Sequence, residues 1–404
     1  MPATSLARTR RSAFALVSSR RALILLYSAV VFLYWICLYT YVPTLPTYAQ
    51  SKADNLALVG VALSMYGLWQ AIIRLPLGIA ADWLGQRKPF IIGGLLLAGL
   101  GAWVMGVAGD VEGILIGRAI TGLAAGTWVP LVVVFNSLFP PEEAVRATAI
   151  LNLVGSVGRV LATGSTGWLN GLGGYPLAFF VALAVALLAV ALVLPAQEAR
   201  RAPKRPSVMA VGRLITRRDV LLPALLAAVS QYANWAATFG FVPILAKELG
   251  ATDVTQSLLS SLNIGVLTLG NLLATAIVKR LGAQRLVYLS FVLLSLGIGL
   301  AALAPSLVLL FAAQLFIGLS QGIVAPVLMG MSIRYVVEAE RTTAMGLHQS
   351  VYAVGMFAGP AVSGVLAKAL GIRPMFGVTA FFCLALGLFA TRWLTEKRPA
   401  AAAA

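Results

Sequence analysis

Between two long apolar runs the chain reads Arg74-Leu75-Pro76-Leu77-Gly78-Ile79-Ala80-Ala81-Asp82-Trp83-Leu84-Gly85-Gln86-Arg87-Lys88. Its first half continues an apolar helix, Gly85-Gln86 reads as a turn, and Arg87-Lys88 precede a second apolar run that starts at Pro89. Each flanking run approaches the ~20 residues a helix needs to cross a bilayer, so the stretch is a loop joining two membrane spans. The same reading carried outward gives twelve spans, near residues 23–47, 57–81, 89–108, 114–137, 147–169, 177–196, 220–246, 257–278, 286–304, 307–333, 343–366 and 375–391.

Composition agrees with a membrane protein. Apolar residues make up 60% of the 404 and charged residues 11%, against roughly 25% charged in an ordinary soluble domain. Soluble enzymes and DNA-binding proteins are thereby excluded. The net charge of +17 is spread in short clusters between spans and forms no basic domain, so no nucleic-acid partner is expected. Cys37 and Cys383 lie inside apolar runs, without metal-ligand spacing, and read as packing residues. No metal and no cofactor are expected. The basic N-terminus is followed by an apolar run too long for a signal peptide, which is expected to remain as the first span.

The charges orient the spans. With the N-terminus inside, the inner links and tails hold 23 Lys and Arg and the outer links four: Lys52, Lys247, Lys368 and Arg373. That asymmetry places both termini in the cytoplasm. The expected organisation is a tail at 1–22, a six-helix bundle at 23–196, a solvated Arg- and Pro-rich linker at 197–219, a second bundle at 220–391 and a tail at 392–404. Sliding one half over the other reveals a repeat. Tyr41-Val42-Pro43 matches Phe241-Val242-Pro243, and Leu84-Gly85-Gln86-Arg87 is echoed by Leu281-Gly282-Ala283-Gln284-Arg285. Arg118-x3-Gly122-x3-Gly126-x3-Pro130 matches Gln314-x3-Gly318-x3-Gly322-x3-Pro326. Parallel repeats of this kind characterise transporters whose substrate site lies between the halves.

The quoted loop, with Gly78, Asp82, Gly85, Arg87 and Lys88, resembles the signature of the major facilitator superfamily, and Arg118 with Gly122 and Gly126 resembles a second motif of that family. The resemblance covers residues 22–392. It implies an all-α membrane fold of two pseudo-symmetric six-helix bundles that transports a small molecule by alternating access. It also implies that the loop acts as a conformational latch, Gly78 allowing a close approach and Asp82 meeting the N-terminus of helix 11 at Arg341-Thr342-Thr343. The drug-antiporter branch carries Gly-Pro in helix 5, where this chain has Gly164-Ser165. That departure disfavours drug/proton antiport.

Within the spans the charges are positive. All thirteen acids fall in loops or at span ends, whereas Arg74, Arg118 and Arg159 lie within spans. An arginine at mid-membrane costs ~2.5–3.5 kcal/mol on insertion scales and must face a cavity or ligand. Arg159 is placed near the midplane, with either an anionic ligand or amides such as Asn152 and Gln349 as its partner. Arg118 lies nearer the outer end, where it can also snorkel, and Arg74 is assigned to the inner gate. With His348, the lone histidine, Arg118 and Arg159 are the candidates for intramembrane charge or coupling roles. Candidate cavity walls are Tyr34 and Trp35, Gln231, Asn234 and Trp235, and Gln314 and Gln349, joined by Tyr39 and Tyr232.

The expected function is secondary active transport of a small organic solute across a bacterial cell membrane, by a monomer in lipid. Proton-coupled export is the first expectation. Import or exchange of an organic anion, and lipid flipping, are the alternatives. No phosphate-binding loop, catalytic dyad or selectivity ring is evident, so neither an ATPase, an enzyme nor a channel is expected.

Overall fold

Each apolar run is bounded by residues that start or stop a helix, and each becomes one. In the computed structural model, which describes residues 19–198 and 208–394, Asn55 accepts from the Ala57 and Leu58 amides at 3.0 and 3.2 Å. Asp110 accepts from Gly113 at 2.9 Å and Thr252 from Thr255 at 3.2 Å. These oxygens satisfy amides that the first turn leaves unpaired. The spans are α1 (Arg20–Gln50), α2 (Leu56–Leu84), α3 (Lys88–Gly106), α4 (Val111–Asn136), α5 and α6 (144–172 and 175–193) and α7 (Arg218–Glu248). They continue with α8 (Asp253–Leu281), α9 (Ala283–Leu303), α10 (Leu307–Ile333), α11 (Glu338–Leu370) and α12 (Ile372–Thr391).

α5 and α6 are the arms of one hydrogen-bonded stretch, Ala144–Val193, which breaks at Gly173 and Gly174. Gly174 has φ 68° and ψ −179°, a conformation that side chains disfavour, and Pro176 opens the returning arm. The proline motif of the repeat has a matching structural effect in both halves. α1 passes through a tight turn at Val42–Thr44, and α7 through a wide one at Ala237–Phe241. Pro43 and Pro243 lack an amide hydrogen, and their rings crowd the carbonyl four residues earlier.

Helices α1–α6 form one bundle and α7–α12 the other. In the first, α1 packs on α5, α2 and α3 on α4, and α3 on α6; in the second, the same pairings recur six helices later. The bundles meet along α2 and α11 and along α5 and α8. At the first seam glycines bring backbones together: a Cβ added at Gly60 would stand 2.8 Å from the Cα of Gly364. Leu25, Trp168, Leu272 and Phe381 are exposed on the outer faces of the bundles, where lipid would cover them.

The 197–219 linker is not wholly irregular. It contains a short helix, Val208–Ile215, whose Leu214 is buried with Val220, Val336, Ala344 and Leu347. Arg213 pairs with Glu340 at the start of α11, so the linker is tied to the second bundle. The face bearing residues 19 and 394 is called terminal below, and the opposite one distal.

Candidate functional site

A cavity of about 300 Å³ lies between the bundles, from mid-span toward the terminal face. Its lining comes from single faces of helices. On α2 these are Tyr66, Gln70 and Arg74, on α5 Asn152, Gly155 and Arg159, and on α11 His348, Tyr352 and Met356. Intervals of three and four residues keep each set on one stripe. Trp35 and Tyr39 of α1, Trp128 of α4, and Gln231, Asn234 and Trp235 of α7 complete much of the wall.

Two guanidiniums face this space. That of Arg159 lies 4.8 Å from the Trp35 ring and 5.9 Å from the Tyr39 ring, a cation–π arrangement. Its Nη2 donates to Ser156 Oγ at 3.1 Å, one turn back on the same helix. Among the described residues it makes no bond to Asn152 or Gln349. Arg74 lies in the cavity wall rather than in an inner-gate cluster. It donates to the Tyr352 hydroxyl across the bundle interface and stands 5.1 Å from that ring. Every lining residue is uncharged or basic, with no carboxylate among them.

His348 is buried at the cavity wall, with Nδ1 2.7 Å from Ser332 Oγ. Ser332 also donates to the Val220 carbonyl at 3.1 Å. The hydroxyl has one proton, so both contacts are satisfied together when Nδ1–H donates to Ser332 and Nε2 is the acceptor.

Several sequence expectations are corrected. Tyr34 is buried away from the cavity, donating to the Ala125 carbonyl at 3.1 Å and stacking on Trp128. Gln314 is buried within the second bundle, accepting from Thr238 at 3.0 Å. Gln349 and Tyr232 are also absent from the lining, and Arg118 neither snorkels nor faces the cavity. Its guanidinium is buried 4.4 Å from the Tyr66 ring and beside the Tyr41 hydroxyl. Trp35, Gln231, Asn234, Trp235, Arg159 and His348 are brought together on the wall. Asn152, named above as a candidate partner of Arg159, also lines it, and Gln70, Asn271, Gln321, Trp128 and Tyr352 join them without having been singled out. Their signal was polar or aromatic residues recurring at helical intervals within apolar spans.

The signature loop also differs from expectation. Gly85 caps α2 with φ 62°, but a Cβ at Gly78 would meet only Val129, at 3.5 Å. Gly78 therefore marks no close approach. The Arg87 and Lys88 amides donate to Glu198 at 2.7 and 2.8 Å, and Lys88 Nζ donates to the Leu194 and Ala196 carbonyls at 2.6 and 2.8 Å. These bonds tie α3 to the end of α6, and α11 starts at Glu338 instead of Arg341. The Asp82 side chain lies outside the described residues.

Toward the distal face the cavity is closed. Tyr66 stacks on Trp235 at 5.3 Å, and Tyr39 meets Phe239 at 6.2 Å. Beyond them a polar seam joins α5 to α8. Thr163 and Ser261 hydroxyls are 2.8 Å apart, the Gly167 amide donates to Ser257 at 2.7 Å, and Asn170 donates to Asp253 at 2.8 Å.

The model of the Major Facilitator Superfamily matches residues 27–229 and 224–404. The chain belongs to this superfamily. As a member it is a multi-pass, non-enzymatic secondary transporter of a small-molecule substrate. A Pseudomonas aeruginosa protein described as transcription regulatory protein OpdE is 26% identical over 355 residues, covering 86% of this chain and 87% of that one. The inner membrane transport protein YajR of Escherichia coli (strain K12) is 38% identical over 84 residues, 20% of this chain and only 18% of that protein's length. Among solved structures, the nucleoside transporter NupG superposes with a TM-score of 0.73 at 18% identity, covering 93% of this chain and 100% of that one. The human organic anion transporter MFSD10 superposes with a TM-score of 0.66 at 16% identity, over 93% and 100%. At such identities these two show the fold that the superfamily member shares.

Proposed function

We propose that this transporter carries a small organic anion. The observation that supports the reading is Arg159, a guanidinium near mid-span, bonded to protein through Ser156 on its own helix, in a cavity that holds Arg74 and no carboxylate among the described residues. A rigid fork of donors suits carboxylate or phosphate oxygens. A cationic drug would meet two guanidiniums and nothing negative, so export of cationic drugs is the weaker reading. His348 is the group at the cavity that supports a proton as the coupling ion. A membrane potential negative inside opposes anion entry by about 2.3 kcal/mol per charge at 100 mV, so proton coupling fits uptake better than export. The 23 inner against four outer Lys and Arg support cytoplasmic termini in a bacterial cell membrane, with the chain acting as a monomer in lipid.

Calorimetric titration of the purified protein with benzoate and with benzylamine tests the reading. Benzoate is expected to bind and benzylamine not to. Arg159→Lys should retain part of the affinity and Arg159→Gln lose it, with thermal stability little changed. Equal binding of the amine, or undiminished benzoate binding in Arg159→Gln, would overturn the proposal.

A further inference from the structure

The cavity offers more than charge. Its walls are aromatic on both bundles, with Trp35, Tyr66 and Trp128 on one side and Trp235, Phe239 and Tyr352 on the other. Trp35 meets Trp128 edge-on at 5.1 Å, and the Tyr66–Trp235 stack closes the distal end of the space. Such faces hold a flat ring better than an aliphatic chain of equal area.

Buried polar atoms without a hydrogen-bond partner among the described residues occur on the residues that line the cavity, in both polarities. The donors are Nε of Arg74, Nε of Arg159 and Nε1 of Trp35; the acceptors are Oε1 of Gln70 and Oδ1 of Asn234. Arg74, Gln70 and Asn234 are 5%, 3% and 3% exposed. A solute that brings only a carboxylate satisfies the donors and leaves the acceptors bare, and an unpaired buried acceptor is costly. At about 300 Å³ the space is at the small end of ligand pockets, which suits a compact ring system.

Resting on the anion reading above, we infer that the preferred solute is a planar aromatic or heteroaromatic anion that also carries an N–H or O–H donor away from its charge. The anionic group meets Arg159 and Arg74, the ring lies among the aromatic side chains, and the donor meets the amides of Asn234 and Gln70.

Four probes separate these elements by calorimetry on the purified full-length protein: indole-3-carboxylate, its 1-methyl derivative, cyclohexanecarboxylate and neutral indole. Indole-3-carboxylate is expected to bind tightest. The 1-methyl derivative, in which a methyl group replaces the donor hydrogen, should bind about threefold to tenfold more weakly, the range of one net hydrogen bond. Cyclohexanecarboxylate should also bind more weakly, and indole not measurably. Asn234→Leu should close the gap between the two indole acids. Equal binding of those acids by the unaltered protein, or an aliphatic acid as tight as the aromatic one, overturns this inference and leaves the anion reading standing. Indole binding as tightly as its carboxylate, or no binding by any carboxylate, overturns both.

Discussion

His348 has one ring nitrogen committed to Ser332, so a proton gained from the cavity would enter at Nε2. Replacing His348 by Gln keeps a polar side chain but removes the titrating group, and should flatten the dependence of initial uptake rate on pH. Ser332→Ala leaves the imidazole in place without its partner, so the midpoint of the profile should move while the dependence persists. An unchanged profile in His348→Gln removes the residue from coupling. The adjacent Gln349 illustrates what sequence leaves unsettled at this scale. Consecutive helical residues point about 100° apart, so of His348 and Gln349, or of Trp35 and Tyr34, one faces the cavity and its neighbour does not. The flanking residues give no sign of which. Arg159 was legible because a charge at that depth has few places to go; Gln70 was not, because an amide can be satisfied in many.

At the scale of elements, span number and repeat were readable from apolar runs and from the paired Val-Pro motifs. The ends were less so, since α11 extends back to Glu338 through polar residues that hydropathy assigns to a loop. The contact of the signature loop with Glu198 was invisible for a different reason: it joins residues 110 or more positions apart. The turn between α5 and α6 gives a stability prediction. A methyl group at Gly174, where φ is 68° and ψ −179°, enters a backbone region reserved for glycine and should cost about 1–3 kcal/mol. Gly174→Ala is therefore expected to melt earlier than the parent in detergent, whereas Gly171→Ala, three residues earlier in helix with nothing near its would-be Cβ, should not. Equal melting of the two variants would contradict the assigned turn.

For the whole molecule, alternating access requires the α5–α8 seam to part whenever the cavity opens distally. Thr163 and Ser261, whose hydroxyls are 2.8 Å apart, are suited to a reversible lock. Cys37 and Cys383 are buried and should not compete in crosslinking. Oxidising the Thr163→Cys/Ser261→Cys variant should stop transport in proteoliposomes, and a reductant should restore it; full transport by demonstrably crosslinked protein would rule out movement at this seam. The two seams between the bundles differ in chemistry, one backbone against glycine, the other hydroxyl, amide and carboxylate. The α2–α11 seam has the Arg74–Tyr352 hydrogen bond to break, its glycine contacts sliding freely, while the polar seam must exchange each of several partners for water before it yields. The temperature sensitivity of turnover would then arise largely on one side of the molecule, with α5 and α8 setting the tempo and α2 and α11 following.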